Sequence, residues 1–164
     1  LAEAWQQFQC VNPNWSLTVI GKDAKENGLS NKAKMQNLLG DALESVTFIE
    51  HMANEELVSS LKKHDFCVLP SFSEAFALAP MESMAAGLPT LVSSMSSGPE
   101  LIKHEIDGWL CDPRDAQSVL HALNLAASCE QARAKIGQEG RLKINQYFSF
   151  DEFIQNNIRY YSNL

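Results

Sequence analysis

Two glutamates, Glu74 and Glu82, stand eight positions apart in the apolar stretch "SEAFALAPMESMAAGLP" of residues 73–89. The stretch follows "FCVLPSF", so both acids sit where a strand-like run gives way to a helix. Two readings compete for each. Glu82 is either a helix-starting acid that caps the helix and complements its dipole, or a carboxylate whose two oxygens accept a pair of neighbouring hydroxyls, as a ribose diol offers. Glu74 precedes the helix and is either a solvated loop acid or a second hydroxyl-binding group.

The residues between them suit a ligand. Small Ala75, Ala77 and Ala79 let it approach the backbone, and Phe76 and Leu78 alternate inward to hold the loop. Pro80 fits the first helical position, which makes 78–82 a helix N-terminus and puts Glu82 third in the helix. Free N–H groups there, together with the helix dipole, favour a phosphate or diphosphate. A carboxylate beside a phosphate repels it unless it meets sugar hydroxyls instead. The pattern therefore predicts a polyol at each end of a diphosphate.

These residues need a scaffold, and the chain supplies strand-like runs alternating with helical ones. Strands are predicted at 16–21, 46–50, 65–71, 89–94 and 108–112. The run "DFCVLPS" is nearly continuous in apolar residues, as buried parallel strands are. The alternation predicts a parallel α/β sheet, and in such sheets ligands lie beyond the carboxyl ends of the strands. Asn54, Asp115 and Ser149 are expected helix caps, the last in a capping box with Glu152. Gly87 is expected to end the helix that contains Met81 and Met84, with Pro89 blocking its continuation. The last helix is expected to show Phe153, Ile154, Ile158 and Tyr161 on one side. The segment 22–32 reads as a polar loop or helix start, and 33–45 as helical with its end left open by Gly40.

Composition narrows the function. The 164 residues make one domain, 45% apolar and 20% charged, with a net charge of −7. That charge disfavours nucleic acid and anionic membranes, and no basic run exceeds Lys62-Lys63. The four cysteines are widely spaced with no metal-like pattern, and His51, His64, His104 and His121 show no ligand pairing. A reduced, cytoplasmic setting fits, and no apolar stretch approaches the length of a membrane span. The chain opens on "LAEAWQQFQ", already helical in pattern, which suggests a domain truncated at its N-terminal edge.

The string "PSFSEAFALAPMESMAAGLPTLVSS", with "SSGPELI", "DGWLCDPRDAQSVLHAL" and "FSFDEFIQNNIRYY" following in order, resembles the retaining glycosyltransferases of family four. The resemblance implies the C-terminal, Rossmann-like half of a two-domain GT-B fold, spanning 1–164, with the acceptor-binding N-terminal domain absent. It implies a nucleoside-diphosphate sugar, UDP- or GDP-linked, transferred to a saccharide or lipid-linked acceptor in polysaccharide, lipopolysaccharide or other glycoconjugate synthesis. Glu74, the catalytic candidate, would contact hydroxyls of the transferred sugar, without a nucleophile role. The backbone of Ala75, Phe76, Ala77 and Leu78 would line sugar and diphosphate, Glu82 would hold the ribose, His51 would lie near the base, and Gly21 would close an earlier strand. The donor is a substrate, and neither a metal nor a cofactor is implied. A peripheral contact with the inner face of the membrane would come through the missing domain. Ala75, Ala77 and Glu50 stand where the family commonly has glycine, so a non-catalytic nucleotide-sugar-binding module and a sugar-nucleotide epimerase on the same fold remain alternatives.

Overall fold

Parallel strands form at all five expected places, and helices pack beside them. The computed structural model describes residues 1–75, 78–95 and 97–162. Helix α1 (Ala2–Val11) leads into β1 (Leu17–Ile20), and a short hairpin follows, β2 (Lys25–Glu26) and β3 (Leu29–Ser30). Then come α2 (Asn31–Leu39), a 3₁₀ turn (Gly40–Ser45), β4 (Val46–Ile49), α3 (Asn54–Leu61), β5 (Cys67–Leu69) and α4 (Leu78–Ala85). The chain continues through β6 (Thr90–Ser93), α5 (Gly98–Leu101), β7 (Trp109–Cys111), α6 (Ala116–Ser128), α7 (Glu130–Tyr147) and α8 (Phe150–Ser162).

The strands do not close into one sheet. β1 pairs with β4 in parallel, Leu17 opposite Val46, and β5, β6 and β7 form a separate parallel sheet with Leu69 opposite Val92 and Val92 opposite Leu110. A cleft of about 730 Å³ lies between them, lined by residues of both β1 and β5. β6 is buried along its whole length, whereas all three residues of β5 are only half-buried because its outer edge meets the cleft.

The hairpin corrects the reading of 22–32 as a loop or helix start, of which only Asn31 and Lys32 begin a helix. Asn27 and Gly28 both take positive φ, 53° and 79°, the pair of angles a two-residue hairpin turn requires. Asn-Gly is the sequence signal for that turn. α7 was not among the expected helices. Gly137 and Gly140 dilute its pattern, and packing explains them: a Cβ on Gly137 would meet Gly87 O at 2.3 Å, and one on Gly140 would meet Asp107 O at 2.9 Å. Those glycines let α7 lie directly against the end of α4 and the turn before β7.

α4 ends in a Schellman motif. The Gly87 amide donates to Met84 O (2.9 Å), the Leu88 amide donates to Ser83 O (3.0 Å), and Gly87 takes φ 81°. Asp115 caps α6 by accepting from the Gln117 amide at 2.9 Å, and Ser149 accepts from the Glu152 amide at 3.2 Å. Asn54 does not cap α3: it is the first helical residue, Ala53 takes the cap position, and no side-chain bond is made there. The apolar core gathers Trp5, Phe8, Leu39, Leu91, Trp109, Val119 and Leu123, with a second cluster of Met84, Val92, Leu101, Ile102 and Ile144 behind α4. α8 leaves Ile154, Ile158, Tyr160 and Tyr161 exposed, and the side chain of Phe153 lies outside the described residues.

Candidate functional site

α4 begins at Leu78, two residues before the expected start. Pro80 is therefore third rather than first in the helix, which costs no hydrogen bond because the first four amides have no intrahelical acceptor. Glu82 becomes the fifth residue, and no acid occupies the first turn of α4. The capping role weighed for Glu82 has no geometry to support it. The amides of Leu78 and Ala79 stand at the helix start, with Phe76 and Ala77 just before them and outside the described residues.

Glu74 and Glu82 are both exposed and flank the junction of β5 with α4. Glu74 lines a small pocket of about 40 Å³ with Ser71, Pro80, Ser93, Met95 and Ser97. Glu82 lines the large cleft beside Ser83. Leu69, from β5, and Ala79, from the first turn of α4, form part of the wall of both. Neither carboxylate has a hydrogen-bond or ion-pair partner among the described residues. Two acceptor groups are thus left open, one on each side of a helix N-terminus.

The floor beneath Glu74 comes from residues to which sequence reasoning assigned no role. Ser93 is 4% exposed, and its Oγ accepts from the Met95 amide at 3.0 Å, turning the chain sharply after β6. Gly98 is required there, since a Cβ would fall 1.8 Å from Ser93 O. The only sequence signal for this turn is the Gly98-Pro99 pair at a helix start.

Gly21 follows β1, donates its amide to Ile49 O at 2.9 Å and takes φ 148°, an angle glycine adopts readily. His51 is exposed two residues beyond β4. Both stand past the carboxyl ends of their strands, and neither lines the cleft or the Glu74 pocket. Ala75 has no left-handed angle, so the alanine there costs no strain, and Ala77 lies outside the described residues. Glu50 is exposed at the end of β4.

Among the described residues, no Lys or Arg lines the Glu74 pocket. Arg114, after β7, is already engaged: its Nε and Nη2 donate to the two Asp112 oxygens at 3.0 and 2.8 Å. That pairing, reinforced by the Arg114 backbone amide, holds the Asp112 carboxyl down at about 2. Backbone amides at the head of α4 are therefore the positive groups at the Glu74 side of the site, while Lys63 lines the large cleft on the Glu82 side.

The model of the glycosyl transferases group 1 family matches residues 1–143. The chain belongs to that family. A glycogen synthase from Mycobacterium tuberculosis is 26% identical over 147 residues, which are 90% of this chain and 34% of that protein. The C-terminal domain of a group 1 glycosyl transferase, LpcC, from Francisella tularensis superposes with a TM-score of 0.80 at 26% identity, over 91% of this chain and 77% of that one. The Anabaena protein HepE, solved in complex with UDP, gives a TM-score of 0.84 at 22% identity, over 99% of this chain and 44% of that one. The last likeness is one of fold. The chain thus shares the α/β architecture of glycosyltransferase C-terminal domains and spans about a third of the glycogen synthase. Among the described residues, no helix is long and apolar enough to cross a membrane.

Proposed function

We propose that residues 1–164 form the donor-binding domain of a retaining glycosyltransferase that builds a polysaccharide or related glycoconjugate in the cytoplasm. The observation that carries this reading is the pair of unpartnered acids on either side of the α4 N-terminus, with Leu69 and Ala79 as shared wall. A nucleoside-diphosphate sugar has the matching order of groups. Its diphosphate would lie on the Leu78 and Ala79 amides, its ribose hydroxyls on Glu82, and its transferred sugar on Glu74.

Departure of the nucleoside diphosphate builds negative charge on the leaving oxygen. Amides fixed at a helix start stabilise that charge without reorganising. Glu74 would hold the sugar by its hydroxyls, so that bond cleavage at the anomeric carbon occurs in one orientation. The acceptor would come from a second domain, and the chain alone would bind donor without transferring it.

Calorimetric titration with UDP, GDP and their glucose conjugates tests the assignment. Glu82→Gln should weaken the free diphosphate and the sugar conjugate alike, by about tenfold, the equivalent of ~1.4 kcal/mol. Glu74→Gln should weaken only the sugar conjugate. Equal binding of all ligands by the parent and both variants would remove the reading.

A further inference from the structure

Among the described residues, the buried hydroxyl side chains are those of Ser83, Thr90 and Ser93. The first two place their hydrogen within the fold. Ser83 Oγ donates to Ala79 O at 3.0 Å, and Thr90 Oγ1 donates to Leu88 O at 2.9 Å. Ser93 does not. Its Oγ accepts from the Met95 amide at 3.0 Å, and no acceptor among the described residues takes its own hydrogen. A buried donor without an acceptor is unfavourable, and folded proteins keep few of them. This one lines the small pocket shared with Glu74.

The same pocket collects further uncommitted groups. Ser71, past the end of β5, and Ser97, just before α5, are half-buried, and neither hydroxyl bonds to another described residue. Ser97 holds the cap position of α5 yet makes no side-chain cap. The Glu74 carboxylate is unpartnered as well. Leu69, Val92 and Leu101 make the rest of the wall apolar.

Hydrogen-bond chemistry selects the occupant. An anion would take hydrogens from the serines but would lie against the Glu74 carboxylate, and no described Lys or Arg lines the pocket to offset that repulsion. A cation would suit Glu74 and leave the Ser93 hydrogen unpaired. A hydroxyl satisfies both, since its oxygen accepts from Ser93 and its hydrogen goes to Glu74. The carbon that bears it then meets the apolar wall. About 40 Å³ admits such a group and excludes a whole sugar ring.

We propose that Ser93, assisted by Ser71 and Ser97, reads one free hydroxyl of the transferred sugar in this pocket, so that the donor is a sugar left unsubstituted at that position. This rests on the donor-binding reading above and adds which sugars the site accepts. A deoxy sugar leaves Ser93 unpaired. A phosphorylated or acylated one lacks the hydrogen that Glu74 accepts.

The test is calorimetry on residues 1–164. UDP-glucose, UDP-galactose and GDP-mannose are first ranked against UDP and GDP. Deoxy forms of the tightest conjugate, with one hydroxyl removed at a time, are then titrated into the parent, Ser93→Ala and the double variant Ser71→Ala/Ser97→Ala. One deoxy form should bind the parent about tenfold more weakly than the full sugar, and that difference should shrink below about threefold in Ser93→Ala. The free diphosphate should bind parent and variants alike. The double variant removes no hydrogen bond of the fold, so a reduced difference there carries the proposal even if Ser93→Ala unfolds. The proposal is overturned if no conjugate binds more tightly than its free diphosphate, if every deoxy form matches the full sugar, or if the loss is as large in the serine variants as in the parent. Any of those results alongside binding of UDP or GDP removes the sugar pocket and leaves the nucleotide reading standing. Absence of binding by either nucleotide removes both.

Discussion

Glu82 carries more of the functional reading than any other residue, because its position separates a capping role from a binding one. Had α4 begun at Pro80, an acid in its first turn would explain itself. Starting at Leu78, the helix leaves Glu82 beyond the first turn, exposed, with no partner among the described residues. Glu82→Gln should therefore leave thermal stability within about 0.5 kcal/mol of the parent, measured by thermal unfolding, while lowering affinity for a nucleoside diphosphate. A large loss of stability would restore the capping role. The thiols make a second residue-scale prediction. Cys111 is 2% exposed and burial pushes its thiol up to about 11, whereas Cys10 and Cys129 are exposed. Because the folded value lies above the ordinary 9.0, the stability gained by keeping Cys111 neutral is complete below pH 9.0 and is lost as pH rises toward about 11. Alkylation under native conditions at pH 8 should label Cys10 and Cys129 and spare Cys111, as peptide mass mapping would read.

At the scale of elements, legibility followed local signals. All five parallel strands were readable because apolar runs bounded by Gly, Pro or Asp are a local pattern. So were the Asp115 cap and the Gly87 stop. α7 was not, because its Gly137 and Gly140 are explained by contacts with Gly87 and Asp107, dozens of residues away in the chain. The break between β1 and β5 was equally invisible, since pairing partners are a property of topology. Nor does the sequence announce Ser93 and Gly98 as the floor beneath Glu74; that depends on a close approach of two backbone segments. The α7 contact yields a prediction. Gly137→Ala forces a methyl to 2.3 Å from Gly87 O, and should cost about 1–3 kcal/mol in denaturant unfolding. Gly28→Ala, with open space around it, should cost only the strain of a positive φ.

The whole molecule combines a well-packed half with an open one. β6, α6 and α7 surround a core in which Leu91, Val119 and Leu123 are fully buried, and Leu123→Ala should destabilise the domain by about 2–5 kcal/mol. The β1–β4 pair packs Val19, Val46 and Phe48 against the same core, while a cleft keeps it apart from that sheet. The carboxyl ends of the strands, with the two acids, lie at the mouth of that division, the place where doubly wound folds bind their ligands. The most direct measurement is an NMR titration of residues 1–164 with UDP and GDP at millimolar concentration. Amide shifts are predicted at Gly21, Ser71, Glu74, Leu78, Ala79, Glu82 and Gly98. Shifts gathered at the opposite edge, around Asp65, Glu130 and Arg133, or none at all with either nucleotide, would contradict the account.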